Sequence, residues 1–129
     1  MIKNPQNEHE SWCFPLCPEP PDWKLDWQDL VSCFEWVRQM AGVPQDPVYH
    51  GEGDLLIHTR MVLEALLSMQ SWRNLGPQAR SILFAAALLH DIAKPYATKT
   101  EQNGRISSRG HARRSEKITR QILWQGIDL

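Results

Sequence analysis

The dipeptide His90-Asp91 stands where the most apolar stretch of the chain, ILFAAALLH, comes to an end. A helix of alanine, leucine, isoleucine and phenylalanine does not readily bury a carboxylate, because an unpaired buried charge is costly. Asp91 therefore needs a cation or a full set of hydrogen bonds. A divalent ion is the simplest such partner, since imidazole nitrogen and carboxylate oxygen both bind first-row divalent metals. Taken alone, the dipeptide fits an ion pair or a cap at a helix end equally well.

A further metal ligand has to come from another helix, because adjacent side chains on one helix point about 100° apart. His58 is the candidate, and it lies next to Leu56 and Ile57 in an amphipathic stretch. By itself this pattern favours a core histidine bonded to a backbone carbonyl. Only its combination with His90-Asp91 points to a metal site.

Several basic residues are candidates for binding an anionic substrate. Lys94 lies one helical turn after His90, so both can face one pocket, although a solvated lysine at a helix end fits equally well. Other basic residues crowd the predicted start of a later helix, where arginine charge opposes the helix dipole unless an anion is bound there. A basic, solvated helix start is the alternative. These residues are Arg109, His111, Arg113 and Arg114, and His50 is a further candidate for lining the cleft.

Length and composition describe one ordinary globular domain. The chain has 129 residues and a formal net charge of -1, which gives no bulk electrostatic argument for nucleic-acid binding. No apolar run approaches the roughly 20 residues of a membrane span, and the N-terminus lacks a signal pattern. We therefore expect a cytoplasmic protein with no membrane partner. Three cysteines fit a reducing compartment, and a zinc site at Cys13 and Cys17 is the weaker alternative.

Hydrophobic periodicity predicts an all-α fold, a helical bundle preceded by an irregular arm rich in proline and tryptophan. The arm covers residues 1–24 and the helical domain residues 25–129, and the arm's aromatic residues are expected to pack onto the domain. A polar excursion between the last two helices contains Asn103-Gly104, which fits a small hairpin or a flexible loop. The predicted helices run over about Trp27 to Ala41, Asp54 to Trp72, Gln78 to Ile92, and His111 to Gln125.

Three segments together resemble the HD superfamily of metal-dependent phosphohydrolases. They are HGEGDLLIHTRMVLEAL at residues 50–66, ALLHDIAKPYAT at 87–98 and GRISSRGHARRSEKI at 104–118. The chain is similar in particular to HD domains of bacterial tRNA nucleotidyltransferases and of proteins in which an HD domain is fused to a P-loop kinase-like module. Three motifs in the right order are much more specific than any one of them.

The resemblance implies that His58, His90 and Asp91 are ligands of one divalent ion, whether manganese, magnesium, iron, nickel or cobalt. It also implies that Lys94 contacts substrate phosphate and that His111 lines the site. The family's fourth ligand is an aspartate on a later helix, and Asp128 comes too early to match it. We therefore expect an incomplete HD bundle without its last helices, with a C-terminal kinase-like domain as a possible partner.

The function implied is a phosphatase or phosphodiesterase acting on a nucleotide or an RNA-end phosphate. The bound ion would activate a water molecule, with Asp91, Lys94 and His111 as catalytic residues. Lys94, His50 and the three arginines would bind the substrate. The alternative is a non-catalytic helical module that binds a phosphorylated ligand or a partner domain.

Overall fold

The computed structural model describes residues 12–45, 53–103, 106–107 and 110–124. Over these ranges the chain is helical, which confirms the predicted all-α class. None of the described helices is both long enough and apolar enough to cross a membrane. The elements are α1 (Trp27–Cys33), α2 (Glu35–Arg38), α3 (Leu55–Ser68), α4 (Gln70–Arg73), α5 (Pro77–Leu89), α6 (Lys94–Ala97), β1 (Lys99–Thr100), β2 (Ile106–Ser107) and α7 (His111–Trp124).

Three helix starts follow from local sequence. The side chain of Asp26 accepts a hydrogen bond from the backbone N–H of Asp29, and Asp54 accepts one from Ile57, so both aspartates are N-caps. Pro77 occupies the first turn of α5, where its missing N–H costs no helical hydrogen bond. These signals place the starts of α1, α3 and α5 as predicted.

Two predicted helices are each interrupted once, so the prediction of a continuous helix was wrong in both. The backbone of Phe34 is extended between α1 and α2, and that of Met69 is extended between α3 and α4. Each break leaves carbonyl groups without a helical partner, and an arginine supplies the missing donors. Arg38 donates to the carbonyls of Val31 and Ser32 at 2.7 and 2.8 Å, and Arg73 donates to that of Leu67 at 2.6 Å.

The break at Met69 allows Trp72 to turn back into the core. The indole Nε1 of Trp72 donates to the carbonyl of Arg80 at 3.2 Å, and its ring is almost completely buried. Burial of this aromatic ring is the favourable contribution that accompanies the break.

The third predicted helix also ends earlier than expected. Helix α5 stops at Leu89, His90 is its C-cap residue, and a turn follows through Ala93. Lys94-Pro95 was expected to terminate this helix. Instead these two residues open the short helix α6, since proline is tolerated in a first helical turn.

The irregular N-terminal segment supplies part of the core. Phe14 is buried, and its ring lies 6.0 Å from the ring of Phe84 and 6.4 Å from that of Phe34. The predicted packing of aromatic residues from this segment is confirmed. The buried hydrophobic cluster comprises Phe14, Leu30, Phe34, Val37, Met40, Leu55, Leu63, Leu67, Trp72, Phe84, Ala85, Leu88, Leu89 and Ile92.

The polar excursion before α7 forms a hairpin, one of the two predicted possibilities. Lys99 pairs with Ser107 and Thr100 pairs with Ile106 in antiparallel register. The hairpin connects α6 to α7, and α7 packs against α6.

Replacement of Phe14 by alanine should lower the free energy of unfolding by about 3 kcal/mol or more, because it removes a fully buried ring. Urea denaturation of the two proteins measures the difference. Leu83→Ala, on the exposed face of α5, is the control and should cost less than about 1 kcal/mol. Equal losses in the two variants would show that the N-terminal segment does not belong to the core.

Candidate metal centre

Helix α3 brings His58 to the interior. Asp54 caps the helix, and the backbone N–H of His58 donates to the Asp54 carbonyl at 3.0 Å in the first helical turn. The neighbouring residues Leu55 and Thr59 are completely buried in the contact of α3 with the rest of the domain. The His58 side chain is 14% exposed, so it lies at the edge of the core where α3 packs against α5.

At the end of α5, the adjacent side chains of His90 and Asp91 face the same region. After Leu89 the backbone turns, with the N–H of Ile92 donating to the Leu89 carbonyl at 3.1 Å. Buried Ser115 of α7 holds this turn, because its hydroxyl accepts a hydrogen bond from the N–H of Ala93 at 2.8 Å. The turn removes the constraint that keeps adjacent helical side chains about 100° apart.

The three predicted ligands converge. His90 Nε2 lies 2.9 Å from Asp91 Oδ2, and His58 Nε2 lies 4.0 Å from the same oxygen. One donor atom from each residue lies within 4.8 Å of the other two. Two donors that each stand about 2.1 Å from one ion are at most about 4.2 Å apart. The spacing of the donor atoms is therefore close to that of side chains that share one divalent ion.

The orientation of His90 suits metal binding. Its Nδ1 lies 2.6 Å from the carbonyl oxygen of Ala87, and a carbonyl only accepts, so Nδ1 carries the proton. The other ring nitrogen, Nε2, faces Asp91. A backbone carbonyl that fixes the tautomer in this way is the usual outer contact of a metal-bound histidine.

Asp91 also changes the proton affinity of His90. The hydrogen bond to the carboxylate raises the pKa of His90 above its ordinary value, although partial burial opposes the shift. The charged imidazole is stabilised by the same carboxylate that would bind an ion. Protons and a metal ion therefore compete for this site.

Lys94 is buried beside Asp91. Its side chain is 9% exposed, and its Nζ lies 3.4 Å from Asp91 Oδ2. The alternative of a solvated lysine at a helix end is wrong, because Lys94 instead begins α6 and points inward. Its Nζ also donates to Oε1 of Gln45 at 3.2 Å. Gln45 was missed by the sequence analysis, since a glutamine in a proline-containing loop carries no periodic signal.

The comparisons with known proteins agree with this geometry. The family model described as HD domain matches residues 55–125, more than half of the 129-residue chain. The chain belongs to the HD domain family. This is a family of metal-dependent phosphohydrolases, and the match includes all three converging residues. Searches of curated proteins and of solved structures found no match. The narrower similarity to HD domains of tRNA nucleotidyltransferases and kinase fusions stays a prediction.

The structure describes only some of the remaining candidate site residues. Arg113 and Arg114 are exposed near the start of α7, and Arg114 donates to the carbonyl of Tyr96 at 3.2 Å. That hydrogen bond connects α7 to α6 and engages one nitrogen of the Arg114 guanidinium, Nη1. The backbone of His111 begins α7, but its side chain lies outside the described part of the chain, as do residues His50, Arg109 and Asp128. Their predicted roles stay predictions.

Among the described residues, the group that could hold a metal ion contains no cysteine. Burial raises the pKa of the Cys17 thiol to about 11. Cys13, Cys17 and Cys33 are all free thiols. Their interpretation as reduced side chains stays a prediction.

We expect the variants His58→Gln, His90→Gln and Asp91→Asn each to lose divalent-metal affinity. The loss should exceed the roughly 10- to 100-fold typical of changes outside the ligand shell. Metal analysis of the purified proteins and calorimetric titration with Mn²⁺ measure it. Glu64→Gln, an exposed acidic residue on the same helix as His58, is the control. Wild-type affinity in all four variants would exclude the proposed ligand set.

Metal affinity should fall as the pH is lowered. The raised pKa of His90 means that the proton must leave Nε2 before an ion can bind, so affinity should drop by up to about tenfold per pH unit below that pKa. Above the pKa the dependence should flatten. Mn²⁺ titrations between about pH 5.5 and pH 8.5 test this across the histidine range. A constant affinity over the whole range would contradict the role of His90.

Proposed function

We propose that this HD domain hydrolyses phosphate esters of a nucleotide or an RNA end with the help of a divalent ion. The observation that carries the proposal is the convergence of His58, His90 and Asp91 from two regions of the chain onto one point. The HD family match supports the same reaction class. The phosphoryl substrate is the part of the proposal that the family suggests and that experiment has to identify.

The composition of the ligand set supports catalysis over a structural role. Among the described residues, the group that can hold an ion contains three side chains. Structural zinc sites usually contain cysteine thiolates, whereas sets of two histidines and one carboxylate, as here, occur in catalytic sites. His90 is 40% exposed while Asp91 is 7% exposed. A substrate would therefore approach from the His90 side.

The charged residues around Asp91 have separate tasks in such a reaction. A bound divalent ion supplies Lewis acidity, which lowers the pKa of water and polarises a phosphoryl oxygen. Asp91 would hold the ion and accept a hydrogen bond from the attacking water. Lys94, whose ammonium lies 3.4 Å from Asp91 Oδ2, would offset the negative charge that develops on the phosphoryl group.

Residues around the start of α7 would bind the rest of the substrate. Arg113 and Arg114 are exposed there, and guanidinium groups suit phosphate because they donate two parallel hydrogen bonds. His50, Arg109 and His111 are proposed to contribute to the same anion-binding surface. We propose His111 as a further catalytic residue near the ion.

A non-catalytic binding module is the second candidate, and one observation favours it. Asp91 already has Lys94 and His90 as partners, so its charge is compensated without any ion. In that case the cluster would be a buried ion-pair network that stabilises the end of α5. Metal content separates the two candidates, because only the enzyme needs a bound ion.

Hydrolysis should require both the ion and Asp91. We expect the Mn²⁺-loaded protein to hydrolyse at least one of three probes: bis-p-nitrophenyl phosphate, a 2′,3′-cyclic nucleotide or a nucleoside monophosphate. Asp91→Asn should abolish turnover, and Lys94→Met should lower kcat about 100-fold while the protein still binds metal. Phosphate release and nucleotide chromatography measure these rates.

Glu64→Gln serves as the matched control and should keep wild-type turnover. A protein that binds Mn²⁺ but hydrolyses none of the probes would argue against the enzyme. Activity that survives in Asp91→Asn would indicate a contaminating phosphatase.

A further inference from the structure

Gln45 is a buried residue next to the metal centre that the mechanism above does not use. Its side chain belongs to the loop between α2 and α3 and is 7% exposed. Its amide oxygen Oε1 accepts a hydrogen bond from Lys94 Nζ at 3.2 Å. The contact joins two residues that are far apart in sequence and is buried on both sides.

The ammonium of Lys94 determines how the Gln45 amide is oriented. An ammonium group only donates hydrogen bonds, so the amide oxygen has to face it and the amide nitrogen has to face away. Nε2 of Gln45 is buried and has no hydrogen-bond partner in the part of the chain that the structure describes. Such an unpaired buried donor destabilises a fold.

The amide oxygen, by contrast, accepts a hydrogen bond from a buried ammonium group. A leucine of similar size would remove the buried Nε2, but it would also take one acceptor away from Lys94. Local violations of good packing chemistry are typical of functional positions, where a stabilising substitution would impair the site. The contact with Lys94 is the interaction of the Gln45 side chain from which a role can be argued.

The distances around Lys94 indicate what this contact with Gln45 does. Its Nζ lies 3.4 Å from Asp91 Oδ2, longer than the 2.7–2.9 Å typical of a direct charged hydrogen bond. Oδ2 is the same oxygen that His90 and His58 face. If Lys94 moved into direct contact, its ammonium would compete with a divalent ion for that oxygen. Gln45 supplies a second acceptor that holds the flexible lysine side chain away from it.

We propose that Gln45 is a positioning residue that holds the Lys94 ammonium beside the Asp91 carboxylate without letting it occupy the metal-binding oxygen. Asp91 then stays available to an ion, and Lys94 stays available to an anionic phosphoryl group. The inference rests on the proposed function, because it assumes that an ion and a phosphoryl group bind here. Gln45 acts through Lys94 and need not touch the substrate.

The test compares Gln45→Leu with Gln39→Leu. Gln39 is an exposed glutamine whose amide oxygen also accepts one side-chain hydrogen bond, from the Tyr96 hydroxyl, so it controls for loss of such a contact. We expect Gln45→Leu to stay folded, as its unfolding temperature will show, and to weaken Mn²⁺ binding and binding of inorganic phosphate to the Mn²⁺-loaded protein by roughly tenfold each. Gln39→Leu should leave both affinities unchanged.

A double-mutant cycle with Lys94→Met shows whether Gln45 acts through the lysine. Once Lys94 is replaced, the further change Gln45→Leu should have no effect on Mn²⁺ affinity, because no ammonium competes for Asp91. Additive losses would overturn the inference. So would a fall in unfolding temperature in both Gln45→Leu and Gln45→Met that accounts for the weaker binding, since this would make Gln45 a structural residue.

The proposed hydrolysis and the proposed positioning role of Gln45 can fail independently, and the results distinguish the two. If the protein binds Mn²⁺ and the cycle shows coupling, but no phosphate ester is hydrolysed, the positioning role stands and the proposed reaction fails. If the protein hydrolyses its substrate and Gln45→Leu matches the wild type in both affinities, the proposed reaction stands and the positioning role fails. A wild-type protein that binds neither Mn²⁺ nor phosphate overturns both.

Discussion

The buried carboxylate of Asp91 is the group on which the rest of the site depends. A negative charge at the end of an apolar helix is tolerated only when cationic or hydrogen-bonding groups surround it. Lys94 and His90 lie within 3.4 Å of its Oδ2, and His58 lies at 4.0 Å. The arrangement that makes this charge tolerable also collects the donors that a divalent ion needs. The groups that stabilise the buried Asp91 carboxylate in the fold are therefore the same groups that form the candidate metal site.

The apolar core determines where these donors lie. Helices α3 (Leu55–Ser68) and α5 (Pro77–Leu89) pack directly against each other, so His58 and the end of α5 are held at a constant separation. Phe14, which belongs to the irregular N-terminal segment, packs against Phe84 in the core. Ser115 holds the turn that carries His90 and Asp91. Because the interior is densely packed, these supports restrict the movement of the ligands.

Lys94 and Gln45 form a buried polar contact beside the candidate metal centre. A lysine beside a metal-binding carboxylate is useful to a phosphohydrolase, since it can meet a phosphoryl group. The same lysine would neutralise the carboxylate if it were free to form a close ion pair. The amide of Gln45 provides an alternative acceptor at 3.2 Å, while its own Nε2 is left without a described partner.

The sequence by itself determined the helical class and the starts of three helices, because periodicity and helix capping are local signals. Its resemblance to the HD family also singled out His58, His90 and Asp91, which the structure brings together. It did not reveal the helix breaks at Phe34 and Met69, which depend on aromatic burial and on arginines that supply the lost hydrogen bonds. Nor did it reveal the contact of Lys94 with Gln45. Only the tertiary structure decided these features, because each depends on a pairing or a burial that forms when distant segments pack together.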